Sequence, residues 1–162
     1  MSQTEIHEPA VQADDDRPRK VAQHLSPVAH DLIALAVNGK QAHWHLRGAN
    51  FIGVHEFLDE VVAHAQAASD TVAERIVALG QPVDGRIGTV AAKTSTPEMD
   101  FGFKNPTETV HEVVGQLDAT LTTVYAAVEA LDDIDLVSQD VVIAIAQQLD
   151  KDRWFLTSHF AE

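Results

Sequence analysis

Residues 40–74 read KQAHWHLRGANFIGVHEFLDEVVAHAQAASDTVAE, and the reading of this stretch decides the fold. Its apolar positions Phe57, Leu58, Val61, Ala65, Ala68, Val72, Ile76 and Leu79 step by threes and fours, the pattern of an amphipathic helix. Five potential metal ligands sit in the same stretch: His43, His55, Asp59, Asp70 and Glu74. His55 and Asp59 are four residues apart, as are Asp70 and Glu74, so each pair shares a helix face. At about 100° per residue, these four lie within about 100° of one another, turned away from the apolar stripe. Asp59 and Asp70, eleven residues apart, are separated by about 16 Å along the axis, so one ion cannot bridge both pairs of one helix.

The two pairs are nevertheless mirror-placed. His55 and Glu74, and likewise Asp59 and Asp70, are equidistant from the point between His64 and Ala65. An antiparallel copy of the helix, related by a twofold axis at that point, sets the His55/Asp59 pair of one chain against Asp70/Glu74 of the other. Ala63, Gln66 and Ala67 lie between, mostly small enough for close approach. The spacing therefore predicts two identical metal sites across a homodimer seam. The alternative is an ordinary solvated acidic helix face. The symmetry, the histidines and the small residues argue against it.

The runs KQAHW (40–44), RGANF (47–51), VHEFLD (54–59) and AERI (73–76) resemble the Dps family, the mini-ferritins of starved bacteria. The resemblance is specific over residues 40–80 and looser to about residue 160. It implies an inter-subunit ferroxidase site with iron held by His43, His55 and Asp59 of one subunit and Asp70 and Glu74 of its neighbour. It also implies hydrogen peroxide as oxidant, a hollow homododecamer and a ferric mineral inside. Trp44, beside His43, is by the same resemblance an electron donor to oxidant; on residue type alone it is packed aromatic surface. His45 stands where many members carry Asn, an extra imidazole near the site. Lys40, three residues before His43, is placed to pair with a site carboxylate.

At 162 residues the chain is long enough for one domain with a proper core. It has no cysteine, which excludes disulfides and thiolate metal sites, and only two methionines, which suits peroxide chemistry. The net charge of −14 argues against a generic nucleic-acid binder and fits a protein that concentrates cations. The polar start and the absence of any long apolar run predict a cytoplasmic protein without a membrane span.

Residues 1–24 read as a polar flexible tail and residues 25–162 as the bundle domain. The first helix is expected to open at Ser26 and Pro27, to tolerate Gly39 through close packing, and to end at Arg47 and Gly48. A second helix runs from about Gly53 to Leu79, and a long connection to about Lys104 has room for a short helix over 87–93. Asn105, Pro106 and Glu108 start a third long helix, and a fourth covers 136–158. Four helices with one long connection predict an all-α, ferritin-like four-helix bundle. Glu108 and His111 match half of a di-iron Glu-x-x-His pattern, but no second motif exists, so they read as a helix start and a surface histidine. Trp154 and Phe155 read as core or interface.

Asp132, Asp133, Asp135 and Asp140 cluster at the last helix start. One such acid suffices for capping. The resemblance implies a threefold pore lined by aspartates here, with Asp135 and Asp140 as its carboxylates. Iron oxidation and storage is thus the leading reading. DNA condensation through Arg17, Arg19 and Lys20 is the alternative, weakened by the neighbouring aspartates. A hydrolase at the same seam has no recognisable triad and ranks last.

Overall fold

The structure, a computed structural model, describes residues 16–159. Among these residues four long helices and one short one form: α1 (Arg17–His45), α2 (Phe51–Ala78), α3 (Ile87–Lys93), α4 (Pro106–Leu131) and α5 (Leu136–Ser158). No described helix is long and apolar enough to cross a membrane.

Contacts fix the directions. Lys40 meets Asp59 and His43 meets His55, so α1 and α2 are antiparallel. Asp31 with Thr123 and Asn38 with Gln116 make α1 and α4 antiparallel, and Tyr125 with Asp150 and Asp118 with Arg153 do the same for α4 and α5. It follows that α2 ends at one end of the bundle and α4 begins at the other. The long connection has to travel the length of the bundle, which is the topology expected from its length. The core fills with one residue set from each of the four long helices, including Leu25, Leu32, Leu58, Ile76, Leu117, Val124, Leu131 and Leu149.

The connection is tied down rather than loose. Asp31, 1% exposed, accepts hydrogen bonds from the Thr94, Ser95 and Thr123 hydroxyls at 2.6–2.8 Å and from the Ser95 backbone at 2.7 Å. His30 Nε2 donates to the Asp84 carbonyl at 3.0 Å. A short parallel bridge between Leu46 and Lys104 joins the α1–α2 turn to the start of α4. There Asn105 and Glu108 form a full capping box, which accounts for Glu108 without a metal role.

One expectation is corrected. The first helix begins at Arg17, not at Ser26, so the described part of the 1–24 segment is helical; residues 1–15 lie outside the described residues. Pro18 takes the first-turn position that Pro27 was expected to hold, and the helix passes through Pro27. There the Ser26 hydroxyl donates to the Ala22 carbonyl at 2.6 Å. What holds these added turns is burial: Val21 and Leu25, four residues apart, are fully buried. Their charged neighbours masked that pair in the sequence. At the other end α1 stops at His45, slightly earlier than Arg47, because Leu46 turns extended toward Lys104.

Candidate metal centre

The last turns of α1 face the first turns of α2, and Gly39 permits the approach. A Cβ at Gly39 would sit 3.0 Å from Val62 Cγ2, so the close packing expected at this glycine is present. The approach sets His43, 7% exposed, directly over His55, with ring centroids 3.7 Å apart and planes 20° from parallel.

Each histidine is locked by the other's backbone. His43 Nδ1 lies 2.9 Å from the His55 carbonyl, and His55 Nδ1 lies 3.1 Å from the His43 carbonyl. A carbonyl can only accept, so both Nδ1 atoms carry the proton and both Nε2 atoms keep their lone pairs. That is the tautomer a metal ligand needs, fixed by the kind of backbone contact that commonly orients metal-binding histidines. The His43 carbonyl is available because it belongs to the last turn of α1, where carbonyls lack helix partners.

Asp59, one turn beyond His55, approaches His43 Nδ1 to 3.3 Å and is in contact with the Lys40 ammonium. The Lys40 hydrogen bond outweighs the opposing effect of burial and, with the neighbouring positive groups, holds the Asp59 carboxyl below its ordinary range. The pairing of Lys40 with a site carboxylate is as expected, and it keeps Asp59 an ionised oxygen donor. Trp44 is 63% exposed next to this cluster. His45, two residues on and therefore on the other side of α1, turns away: its ring packs edge-on to Phe101 and Phe103, with Nδ1 2.6 Å from Gln41 Nε2.

Asp70 and Glu74 are exposed on the C-terminal half of α2. The structure therefore brings His43, His55 and Asp59 together and leaves Asp70 and Glu74 apart from them on the same chain. Among the described residues of one chain, no three His, Asp or Glu side chains form a group that could hold a metal ion. On the same face, exposed Ile52 and Val77 sit beyond the two pairs, again equidistant from the point between His64 and Ala65.

The two aspartates at the last helix differ. Asp135 caps α5, accepting from the Ser138 backbone at 3.0 Å, and takes Arg75 Nη2 at 2.7 Å; its side chain is 8% exposed. Burial pushes this carboxyl up, but the Ser138 and Arg75 contacts together hold it below its ordinary value. Asp140 is exposed one turn further along α5.

A model of the ferritin-like domain family matches residues 22–162. A DNA protection during starvation protein of Mycolicibacterium smegmatis is 38% identical over 147 residues, covering 90% of this chain and 79% of that one. The protein of that name from Agrobacterium fabrum is 36% identical over 140 residues, covering 81% and 82%. The chain belongs to the Dps family. Its fold agrees with the structure of Dps from Microbacterium arborescens in the high iron form, at a TM-score of 0.89 and 53% identity, covering 94% of this chain and all of that one. The all-α, ferritin-like bundle expected from the helix pattern is thereby established.

Sequence reasoning missed two features of this Dps chain. The first is the mirror placement of Ile52 and Val77, legible in the numbers but hidden because isolated apolar residues carry no polar-spacing signal. The second is a contact between His64 and Asp152, eighty-eight residues apart on different helices. Its only trace in the sequence is Asp152 itself, which interrupts the apolar steps of Val142, Ile145, Leu149 and Leu156 on the buried face of α5.

Proposed function

We propose that this protein oxidises Fe²⁺ at sites shared between two subunits and stores the product as ferric mineral in a cage of twelve copies. The observation that carries the reading is the reciprocal lock of His43 and His55, which leaves both Nε2 lone pairs uncommitted, with ionised Asp59 in contact with the same histidine pair through His43. Imidazole and carboxylate donors suit iron, and carboxylates favour Fe³⁺ as it forms. One chain carries only half a set; Asp70 and Glu74 of a twofold-related copy complete it. Ile52 and Val77, exposed at the two ends of that face, are matched to pack against each other's counterparts across the same axis.

Iron is the substrate. Two Fe²⁺ give one electron each to hydrogen peroxide, whose O–O bond breaks; two protons are taken up, and two waters and two Fe³⁺ result. The open positions of a seam site admit the oxidant. Trp44, exposed beside His43, supplies electrons when oxidant exceeds iron. Cations reach the interior through a threefold pore. Of the two candidate carboxylates, Asp140 is free to face it, while Asp135 is engaged with Arg75 and Ser138.

DNA binding is secondary in this reading. Of the N-terminal bases, Arg19 is bound to Asp16 at 2.5 Å and Arg17 lies 4.0 Å from Asp135, so both face carboxylates of their own chain.

The test is iron oxidation with peroxide and with oxygen, followed by sizing of the loaded protein. The reading requires faster oxidation than buffer, quenched by loss of His43 and His55, and iron that co-elutes with a particle of about twelve chains. Oxidation at the buffer rate would contradict it.

A further inference from the structure

Away from the seam ligands, α2 and α5 enclose a groove of about 370 Å³. These helices run antiparallel, with Arg75 meeting Asp135 at one end and Phe57 meeting Phe155 at the other. Small residues, Ala67 and Ala68 from α2 and Ala144 from α5, keep the groove open. Asp140 lines it toward the start of α5, and His64 lines it toward the middle of the helix pair.

His64 is held there by a buried acid. Its Nδ1 lies 3.0 and 3.1 Å from the two oxygens of Asp152, a residue 1% exposed. Gln148 Nε2 donates to the same carboxylate at 2.9 Å, which fixes the acid from a second side. Burial raises the Asp152 carboxyl, and the Gln148 and His64 contacts oppose that rise. Burying a carboxylate in an apolar core is costly unless it is paired. Its partner is the imidazole, whose side chain is 36% exposed. With Nδ1 committed to Asp152, the Nε2 lone pair is the part of the ring left for a ligand. A carboxylate that accepts from one nitrogen of a histidine, so that the other can bind a metal, is the arrangement that orients and strengthens imidazole ligands.

We propose that His64, oriented by Asp152, is a divalent-cation site in the α2–α5 groove, separate from the seam ligands. The single oriented imidazole makes a weak, open site suited to a cation in passage rather than to storage, in a groove whose one lining carboxylate, Asp140, stands toward the start of α5. The inference rests on the proposed function only for naming the cation as Fe²⁺. Asp152 acts here as a positioning residue, since it reaches the cation only through His64.

Crystals of the assembled protein soaked in Co²⁺, a stand-in that resists oxidation, test the site by anomalous scattering. The expected result is a peak at bonding distance from His64 Nε2 that disappears in His64→Leu while peaks near His43 and His55 persist. Asp152→Asn is expected to weaken Co²⁺ binding at His64 by about tenfold or more and to leave the seam peaks unmoved. Should that buried substitution prevent folding, His64→Leu still decides the matter. A filled seam with nothing at His64 overturns the inference and leaves the proposed function standing. A peak at His64 with an empty seam supports the inference and removes the seam reading. Peaks at neither place overturn both.

Discussion

At the scale of single residues, the chain uses backbone carbonyls to set the chemistry of its side chains. His43 and His55 each hand a proton-bearing nitrogen to the other's carbonyl, and the Nε2 lone pair is what remains. Asp135 shows the same economy in another role. It joins the start of α5 to α2 through Arg75 and Ser138, and its folded carboxyl lies below the ordinary value of 3.8. For a group depressed in this way, stabilisation is fully present above the unfolded value and is lost as pH falls through the folded one. Asp135→Ala is therefore expected to cost about 2 kcal/mol near neutral pH, from the lost cap and the stranded guanidinium. Chemical denaturation of both proteins should show this difference shrinking below about pH 4. A difference that holds or grows in acid would show that the carboxylate is not the source.

At the scale of elements, α2 carries two faces with separate duties. One buries Val54, Leu58, Val61, Ala65, Val72 and Ile76 in the core. The other presents Asp70, Glu74, Ile52 and Val77 to whatever lies outside. If a second α2 covers this face, Val77→Asp places a charge against the partner's Ile52 twice per dimer. Sedimentation is then expected to show smaller species with unchanged helix content, and an intact assembly would place the seam elsewhere. The core face and the acidic pairs opposite it were legible from the sequence because each follows the helical period, whereas the part played by Ile52 and Val77 was not. The start of α1 was not, since Val21 and Leu25 sit among charges and Pro27 looks like a beginning. Burial, which local pattern does not report, decided that boundary. The capping box at Asn105 was legible because local chemistry alone sets it. The pairing of His64 with Asp152 was not, because only the antiparallel packing of α2 on α5 brings them together.

At the scale of the whole molecule, charge and symmetry carry the account. A net charge of −14 favours cations over nucleic acid electrostatically. Mobility-shift assays at physiological salt and neutral pH are expected to show weak or no DNA complex, and a tight metal-independent complex would overturn that. Asp140→Asn is expected to slow iron uptake several-fold at low ionic strength and less at high salt, with assembly unchanged, because the field that gathers Fe²⁺ is screened. Equal rates at low salt would mean that iron passes by another route. Asp135→Asn, by contrast, should act first on stability, given its burial against Arg75.

The central claim is that each oxidation site is built from two chains, and subunit complementation tests it most directly. One variant, His55→Ala with Asp59→Ala, lacks the first half of every site; the other, Asp70→Ala with Glu74→Ala, lacks the second. In a mixed dimer both defects fall in one site and the other site is whole. Each variant alone should be inactive in iron oxidation, and random co-assembly of equal amounts should restore about a quarter of the native rate, since half the dimers are mixed and each has one intact site of two. Full inactivity of the co-assembled protein, or native activity in either variant alone, would contradict a site shared across the seam.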